Sequence, residues 1–430
     1  MSSPPFPAAA PRNPWAWIPS LYFAQGIPYV VVMTLSVVLY KNLGISNTDI
    51  ALYTSWLYLP WVIKPLWSPL VDMFRTKRLW IWTLQFAIGV AFALVALTLP
   101  GPKFFQLTLA VFWLMAFASA THDIAADGFY LLALPPGDQS AFVGVRSTCY
   151  RIATLSAQGG LVYLAGLLTE RTGDVVHAWV LVFALLAAVF LAVASYHFFA
   201  LPKPAADRAT VAGGDFLKEF FVVFAEFFKK PGILATLAFL LLYRFAESQA
   251  LKLVSPFLLD PRDIGGLGLT TQAVGVVYGT AGIAALTVGG LVGGWAISRG
   301  GLKRLVWPMI FAMNTPNIAF LLLAIFQPTS LWVVGAGLVV EQFGYGFGFA
   351  AYLVYMMLVA EGPHKTAHYA ICTGFMALGM MLPGMAAGWI QDHIGYVNFF
   401  WWVLLCTVPS FAATALIYRR IPEGFGKKSA

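Results

Sequence analysis

"SPLVDMFRTKR" occupies residues 68–78, and "GWAISRGGLKR" follows at 294–304. Each stretch ends an apolar run with a small residue, places a polar residue four positions later, and finishes in basic residues. Asp72 is the polar residue of the first copy, and Ser298 stands at the same place in the second. Small residues allow close helix packing, and an acidic side chain at a helix end can hold a neighbouring helix. The chain is therefore predicted to consist of two related halves.

The runs on either side of these stretches are too apolar for a soluble protein. Hydrophobic residues make up 60% of the 430 residues and charged residues only 10%, whereas soluble proteins carry about 25% charged residues. The runs lack the alternation of barrel strands, and a bilayer requires about 20 apolar residues per helix. The predicted fold is therefore an all-α integral membrane protein with twelve spans. The predicted spans are 15–40, 49–71, 79–99, 105–133, 141–168, 177–200, 232–257, 271–297, 304–326, 331–358, 367–390 and 396–418.

The positions of the positive charges predict the orientation. If the N-terminus is cytoplasmic, 17 of the 26 Lys and Arg residues fall in cytoplasmic segments and four in outside loops. Because Lys and Arg are enriched on the cytoplasmic side, both termini are predicted to be cytoplasmic, and the net charge of +8 does not indicate nucleic-acid binding. The predicted division is a cytoplasmic tail (1–14), an N-terminal six-helix half (15–200), a cytoplasmic linker (201–231), a C-terminal six-helix half (232–418) and a second cytoplasmic tail (419–430).

The linker contains one apolar segment. "DFLKEFFVVFAEFFKK" (215–230) has charged ends and an apolar body, and it is too short to cross a bilayer. It is predicted to be a helix that lies at the membrane interface, with Lys229 and Lys230 facing lipid headgroups. The alternative is a soluble linker helix.

The fourth span contains "SATHDIAADGFY" (119–130), which carries charges into an apolar run. A charge at mid-depth costs at least about 2.5 kcal/mol, so it normally faces a cavity or a partner. From a rise of about 1.5 Å per residue, Asp123 matches Arg151 in depth and Asp127 matches Arg146. One interpretation makes these pairs latches between helices, which we favour for Asp127. The other makes an acid a proton site, which we favour for Asp123.

A second polar cluster occupies the other half. The tenth span contains "EQFGYGF", which can be laid on "DIAADGF" of the fourth span. This alignment places Glu341 opposite Asp123 and Tyr345 opposite Asp127. Glu247 in the seventh span lies at a depth similar to that of Glu341. The two halves therefore carry comparable acids at comparable depth.

These motifs resemble a known family. The stretches at 68–78 and 294–304 resemble the loop motif of the major facilitator superfamily. The series "YFAQGIPY", "WSPLVD", "SATHDIAADGFY" and "YRIA" is similar to the AmpG-type permeases of that superfamily, which are related to siderophore permeases and acetyl-CoA transporters. The resemblance implies the major facilitator fold of twelve helices in two pseudo-symmetric halves. It also implies a central cavity lined by helices one, four, seven and ten, and import of anhydro-muropeptides.

The candidate site residues fall into three groups. The predicted proton-coupling residues are Asp123, Glu247 and Glu341. The predicted charge pairs and gates are Asp72, Arg75, Arg78, Asp127, Arg146 and Arg151. The predicted solute contacts are Gln25, Tyr29, His122, Tyr130, Arg244, Ser248, Lys252 and Tyr345. Lys64 is left open, since it either snorkels to the interface or faces the cavity.

The predicted function is proton-coupled import of a small polar solute across the bacterial inner membrane by alternating access. An anhydro-muropeptide or an amino-sugar fragment is the first choice of solute, and a siderophore or other organic anion is the alternative. A different class, a membrane-embedded acyltransferase, requires His122 and Asp123 to act as a catalytic pair. No phosphate-binding loop motif occurs. We expect no cofactor, no metal site and no nucleic-acid partner. The expected partners of the monomer are an anionic or sugar-containing solute, protons and the lipid bilayer.

Overall fold

The computed structural model describes residues 13–205, 207–208 and 216–427, without the side chains of 69, 70, 72, 73, 136, 137, 140, 141, 143 and 216–220. Regular structure in this part of the chain is entirely helical. The helices are α1 (Pro14–Asn42), α2 (Asn47–Trp56), α3 (Leu59–Met73), α4 (Lys77–Thr98), α5 (Phe104–Ala133), α6 (Pro136–Leu155, continued through Val162–Thr172), α7 (Val175–Ala200), α8 (Phe216–Phe228), α9 (Ile233–Leu259), α10 (Thr271–Gly300), α11 (Leu302–Phe326), α12 (Leu331–Ala360), α13 (Lys365–Leu405) and α14 (Thr407–Tyr418).

The apolar helices agree with the predicted spans. Ten helical stretches of the described chain are long and apolar enough to cross a membrane. The last of them, Lys365–Tyr418, has 54 residues and is broken at Gly395, whose φ of 75° interrupts the helix. The shorter pair α2 and α3 covers the second predicted span. The arrangement is consistent with twelve crossings.

The apolar cores follow the predicted division of the chain. One core cluster is formed mainly by buried residues of α1 and α4 to α7, and two others are formed mainly by residues of α9 to α14. α6 and α10 meet across the boundary, where a Cβ on Gly279 would overlap the backbone of Gln158. Glycine at this position allows the two backbones to touch.

Hydrogen bonds join the halves at one face of the molecule, which we call the closed face. It contains the turn between α1 and α2 and the loop after α9. The contacts across it join Lys41 and Asn47 to Asp260, Asn47 to Gln391 and Tyr396, Thr48 to Asp392, and Asn42 to Thr271. The opposite face, where α3 ends and α4 begins, is called the open face.

The linker helix α8 is held against the C-terminal half. Phe227 is fully buried and stacks on Phe375 of α13. Lys230 donates to the carbonyls of Val359 and Glu361 at the end of α12. The prediction that Lys230 faces lipid headgroups is therefore wrong, because its ammonium group satisfies the last carbonyls of a helix. Lys229 is exposed.

Each half is closed by the segment that follows its last helix. Seven residues after α7, the Asp207 carboxylate accepts from the backbone N–H groups of Lys77 and Arg78 at the start of α4 (2.7 and 3.0 Å). Seven residues after α14, the carbonyl of Phe425 accepts from the N–H of Leu302 at the start of α11 (2.8 Å). We call these segments the clasps. Both satisfy N–H groups that a helix start leaves without partners.

Candidate functional site

Asp123 lies on the face of α5 that meets α1 and α3. Its carboxylate forms an ion pair with Lys64 of α3 and accepts a hydrogen bond from Gln25 of α1. Gln25 lies three residues before Pro28, which stands inside α1. Lys64 therefore does not snorkel to the interface, because its ammonium group serves a carboxylate inside the bundle.

The predicted pairing of Asp123 with Arg151 is wrong. The Arg151 guanidinium instead lies beside Gly290 of α10, in the other half. Depth along an axis does not say which way a side chain faces. Arg146 and Arg151 are five positions apart, so they point about 140° apart around α6. Since Arg146 faces α5, Arg151 turns away from it.

The predicted pairing of Asp127 with Arg146 is present at 2.6 Å. The Tyr22 hydroxyl donates to the same carboxylate at 3.2 Å. The Arg146 guanidinium also lies over the rings of Tyr22 (4.3 Å) and Tyr130 (4.6 Å). The predicted solute contact at Tyr130 therefore has another role in this state: it is buried, its ring faces Arg146, and its hydroxyl donates to the carbonyl of Gln139.

Exposure rises along α5 towards the open face. The side chain of Asp123 is 25% exposed, and that of Asp127, one helical turn closer to the open face, is 46% exposed. These acids face other helices of the bundle, and their partners Lys64 and Arg146 are also partly exposed. The exposure of the charged face of α5 therefore increases towards the open face.

His122 points in another direction. Its ring is 1% exposed, and its Nε2 lies 2.9 Å from Gln85 Nε2 of α4. The predicted solute contact at His122 therefore has another role in this state, because the ring is packed inside the N-terminal half. The same geometry gives no catalytic pair with Asp123, whose carboxylate is held by residues of α1 and α3.

Of the predicted gating residues near the open face, Arg78 donates to the carbonyls of Phe198 and Leu201. It thus holds the end of α7 within its own half. Arg75 is exposed and adopts a positive φ of 66° in the turn between α3 and α4. The Asp72 side chain lies outside the described residues.

The second cluster is built around a break in α9. The helix is interrupted at Tyr243 and Arg244, between the segments Ile233–Leu242 and Phe245–Leu259. Arg244 donates to the hydroxyl of Tyr345, and its guanidinium lies 5.1 Å from that ring and 4.9 Å from the ring of Phe349. The predicted residues Arg244 and Tyr345 thus meet between α9 and α12.

Two acids are buried beside this arginine. Glu247 is 1% exposed, and neither of its carboxylate oxygens accepts a hydrogen bond from the residues that the structure describes. Glu341 is also 1% exposed and accepts from the amide of its neighbour Gln342 at 2.8 Å. The two carboxylates lie within electrostatic reach of each other. The structure therefore brings together the two acids that depth alone had matched.

Lys252 links this cluster to the N-terminal half. Its ammonium group donates to the hydroxyl of Thr54 (3.0 Å) and lies 5.2 Å from the ring of Tyr58. Ser248, a predicted solute contact, is fully buried and donates to the carbonyl of Phe245 in its own helix. Its hydroxyl is therefore already bonded within α9 in this state.

Aromatic residues connect the two clusters. Tyr29 of α1 meets Trp61 edge-on at 5.2 Å, and Tyr29, Arg244 and Tyr345 lie within electrostatic reach of Tyr58. Tyr58 and Trp61 were not among the residues predicted from the sequence. A signal was present, because Trp61 is three residues before Lys64 and thus shares a helix face with it. In the described residues, no group of three or more His, Cys, Asp or Glu side chains could hold a metal ion.

Comparisons with known proteins agree with this architecture. The model of the Major Facilitator Superfamily matches residues 20–369. The chain is 26% identical over 423 residues to the anhydromuropeptide permease of Escherichia coli K12, covering 95% of this chain and 82% of that one. It is 26% identical over 407 residues to putative transporter AmpG 4 of Rickettsia conorii, covering 91% and 93%. The names of these relatives describe permeases and transporters, not enzymes.

Solved structures share the fold. A bacterial homologue of the human lysosomal transporter Spinster, in an inward-facing and unoccupied conformation, superposes with a TM-score of 0.69 at 16% identity, covering 96% of this chain and 98% of that one. A D-xylose–proton symporter superposes with a TM-score of 0.63 at 12% identity, covering 96% and 98%.

Proposed function

This chain belongs to the Major Facilitator Superfamily, and on that premise we propose that it is a proton-coupled importer of an anhydro-muropeptide or a related amino-sugar fragment. The match to an anhydromuropeptide permease over 95% of the chain supports this solute class. The observation that carries the proposal is the convergence of charged side chains from both halves deep in the helix bundle. Charges at that depth are retained in membrane proteins for substrate or ion pathways.

The chemistry of the two clusters fits a fragment with a sugar and a peptide part. Arg244 and Lys252 offer cations to carboxylates, and an arginine can bind a carboxylate with two parallel hydrogen bonds. Tyr29, Tyr58 and Trp61 offer apolar ring faces and polar edges, against which a sugar ring can pack. Alternating access requires the solute to bind between the halves, where these residues lie.

We assign the coupled proton to Glu247 and Glu341 of the C-terminal half. Asp123 is assigned as a second proton site, in the N-terminal half. A buried carboxylate without hydrogen bonds is costly as an ion, which favours proton binding at Glu247. Asp123 is held by Lys64 and Gln25, so its release would free a lysine for the solute. Protonation at either place changes the charge between the halves and biases which face opens.

The orientation follows from the distribution of Lys and Arg. The open face carries the basic turns between α3 and α4 and between α10 and α11, so we assign it to the cytoplasm. Both termini then lie in the cytoplasm. We propose that the protein is a monomer in the bacterial inner membrane. In this orientation the structure represents the state that releases solute to the inside.

The test is uptake of a radiolabelled anhydro-muropeptide into proteoliposomes. An inward proton gradient should drive accumulation by the wild-type protein. Glu247→Gln and Asp123→Asn should abolish accumulation while solute exchange without a gradient persists. Asp263→Asn, a change of an exposed acid in the loop after α9, is the matched control and should behave as wild type.

Three results would contradict the proposal. Accumulation that survives Glu247→Gln and Asp123→Asn would remove both acids from the coupling role. Accumulation without any proton gradient would exclude proton coupling. Accumulation of a ferric siderophore but not of the muropeptide would support the alternative solute class.

A further inference from the structure

A chain of polar side chains crosses the interior of the N-terminal half. His122 Nε2 of α5 lies 2.9 Å from Gln85 Nε2 of α4. Gln85 Oε1 lies 2.7 Å from His197 Nδ1 of α7, and His197 Nε2 lies 2.9 Å from the Ser20 hydroxyl of α1. Gln85, His122 and His197 are all at most 1% exposed. Buried polar groups of this kind are costly unless every one has a partner.

The donors in this chain follow from the chemistry of its members. Gln85 Oε1 only accepts, so His197 Nδ1 carries a proton and donates to it. A neutral His197 accepts at Nε2 from the Ser20 hydroxyl, whose single proton is shared with the Trp17 carbonyl at 3.2 Å. Gln85 Nε2 only donates, so His122 Nε2 accepts. From His197 to His122 the donors follow one direction, and this assignment keeps both imidazoles neutral.

The chain closes on itself through Asp123. His122 and Asp123 are consecutive residues of α5, and Asp123 accepts from Gln25 of α1. Ser20, the other end of the chain, is also on α1. Hydrogen bonds therefore link α1 to α7, α4 and α5 as far as His122, and the peptide step from His122 to Asp123 leads to the hydrogen bond with Gln25 on α1. We call the residues Ser20, Gln25, Gln85, His122, Asp123 and His197 the polar ring.

We propose that Ser20, Gln85, His122 and His197 are positioning residues for Asp123, which hold α5 and α1 so that the Gln25 amide stays on the Asp123 carboxylate. His122 fixes the rotation of α5 from its inner side, while Asp123 faces Lys64 on the other. Ser20 fixes the part of α1 that precedes Pro28. When Asp123 changes partners, α1 remains tethered at Ser20 and moves by bending beyond Gln25.

The polar ring makes a prediction about stability that needs no substrate. Members of one hydrogen-bond network are coupled, so removing a second member after the first should cost less than removing it alone. In the purified protein, the fall in Tm for the double variant Ser20→Ala/Gln25→Ala should be smaller than the sum of the falls for the single variants. Changes at independent sites add. Gln249 lies in the C-terminal half, where its side-chain carbonyl accepts from Trp402. The falls in Tm for Ser20→Ala and Gln249→Ala should therefore be additive.

A matched pair at one position separates hydrogen bonding from packing. Ser20→Thr keeps the hydroxyl and adds a methyl group, whereas Ser20→Ala removes only the hydroxyl. The polar ring requires Ser20→Thr to retain Tm better than Ser20→Ala. Additivity of Ser20→Ala with Gln25→Ala, or a Thr variant as unstable as the Ala variant, would overturn the proposal.

A second readout concerns Asp123 itself and rests on the proposed function. In proteoliposomes, Ser20→Ala and Gln85→Leu should lower proton-driven accumulation of the muropeptide severalfold, while exchange without a gradient persists and Ser20→Thr retains both. Equal losses of accumulation and exchange would mean a purely structural role and overturn the proposal. If Asp123→Asn keeps full accumulation, Asp123 has no proton role. In that case the additivity of the Tm changes alone tests the proposal of the polar ring.

Discussion

At the scale of single residues, the contacts of Arg146 differ from those of an isolated ion pair. Its guanidinium pairs with Asp127 and lies between the rings of Tyr22 and Tyr130. Because the Asp127 side chain is 46% exposed, water screens the ion pair, and exposed pairs contribute at most about 1 kcal/mol. A guanidinium can stack on aromatic rings while it pairs with a carboxylate. Stability at this position should therefore depend more on the contacts of Arg146 with the two rings than on its ion pair with Asp127.

Substitutions at the pair can separate these contributions. Asp127→Asn should lower the free energy of unfolding by at most about 1 kcal/mol. Arg146→Ala should cost roughly 1–2 kcal/mol more, since each cation–π contact contributes about 0.5–1 kcal/mol. The charge swap Asp127→Arg/Arg146→Asp restores the pair but not the stacking, so it should recover only part of the loss. Thermal unfolding in detergent measures all three, and full recovery by the swap would contradict this account.

The sequence predicts charged residues at a given depth but not the direction in which they face. Asp127 and Arg146 were matched correctly because they happen to face each other. Asp123 and Arg151 were matched by the same argument, and the match was wrong because Arg151 faces α10. The partner of Asp123 is Lys64, whose direction was left open because a lysine beside a proline on α3 fits either face.

At the scale of helices, long apolar runs are predictable because a bilayer fixes their length. Their interruptions are harder to predict. Pro28 is a visible signal in α1, because a proline lacks the N–H group that a helix interior uses. The break of α9 at Arg244 contains no proline and has no comparable signal. It is stabilised by tertiary contacts of Arg244 with Tyr345 and Phe349 of α12, which only the assembled fold supplies.

The clasps were also not predicted from the sequence. The sequence revealed the repeated turns at 68–78 and 294–304, but not that the segments after α7 and α14 return to the helices that follow these turns. The first clasp uses a carboxylate side chain, Asp207, and the second uses a backbone carbonyl, that of Phe425. A repeat built from different chemical groups leaves no matching letters in the sequence.

The first clasp gives a direct test. Asp207 accepts from two N–H groups at the start of α4, and a carboxylate there also interacts favourably with the helix dipole. Asp207→Ala should cost about 1 kcal/mol of stability, the usual effect of losing a helix cap. Asp207→Asn keeps one acceptor oxygen, so its stability should lie between those of the wild-type protein and Asp207→Ala. Chemical unfolding of the purified protein measures this, with Asp263→Asn as the control for loss of an acid. An Asp207→Ala variant as stable as the wild-type protein would exclude a capping role for Asp207.

At the scale of the whole molecule, the closed face determines which state the protein adopts. Asn47 of α2 donates to Gln391 (2.7 Å), Tyr396 (3.0 Å) and Asp260 (3.2 Å), all in the other half. A Cβ on Gly388 would overlap the carbonyl of Asn47, so the backbones of α2 and α13 are in contact there. Lys41 pairs with Asp260 at 2.5 Å. These bonds exist only while the halves touch, so they stabilise one state of the transport cycle.

Loss of Asn47 should therefore shift the molecule towards the state in which the closed face opens. An amide has two donor hydrogens, and each buried hydrogen bond contributes about 1 kcal/mol. Asn47→Ala should thus cost the closed state about 2 kcal/mol, a change of roughly thirtyfold in the ratio of the two states. Uptake should fall, because a transporter held in one state cannot complete the cycle.

Spin labels measure this shift directly. In a variant without Cys149, Cys372 and Cys406, labels at Arg171 and Asp263 report the distance between the halves at the closed face. That distance should lengthen in Asn47→Ala. It should stay unchanged in Asp49→Ala, because the Asp49 carboxylate accepts from Ser46 of its own half. Labels at Arg75 and Glu361 should approach each other at the same time, because two rigid halves that part at one face close at the other. Lengthening at the closed face without that approach would mean local unfolding of α2 rather than a change of state.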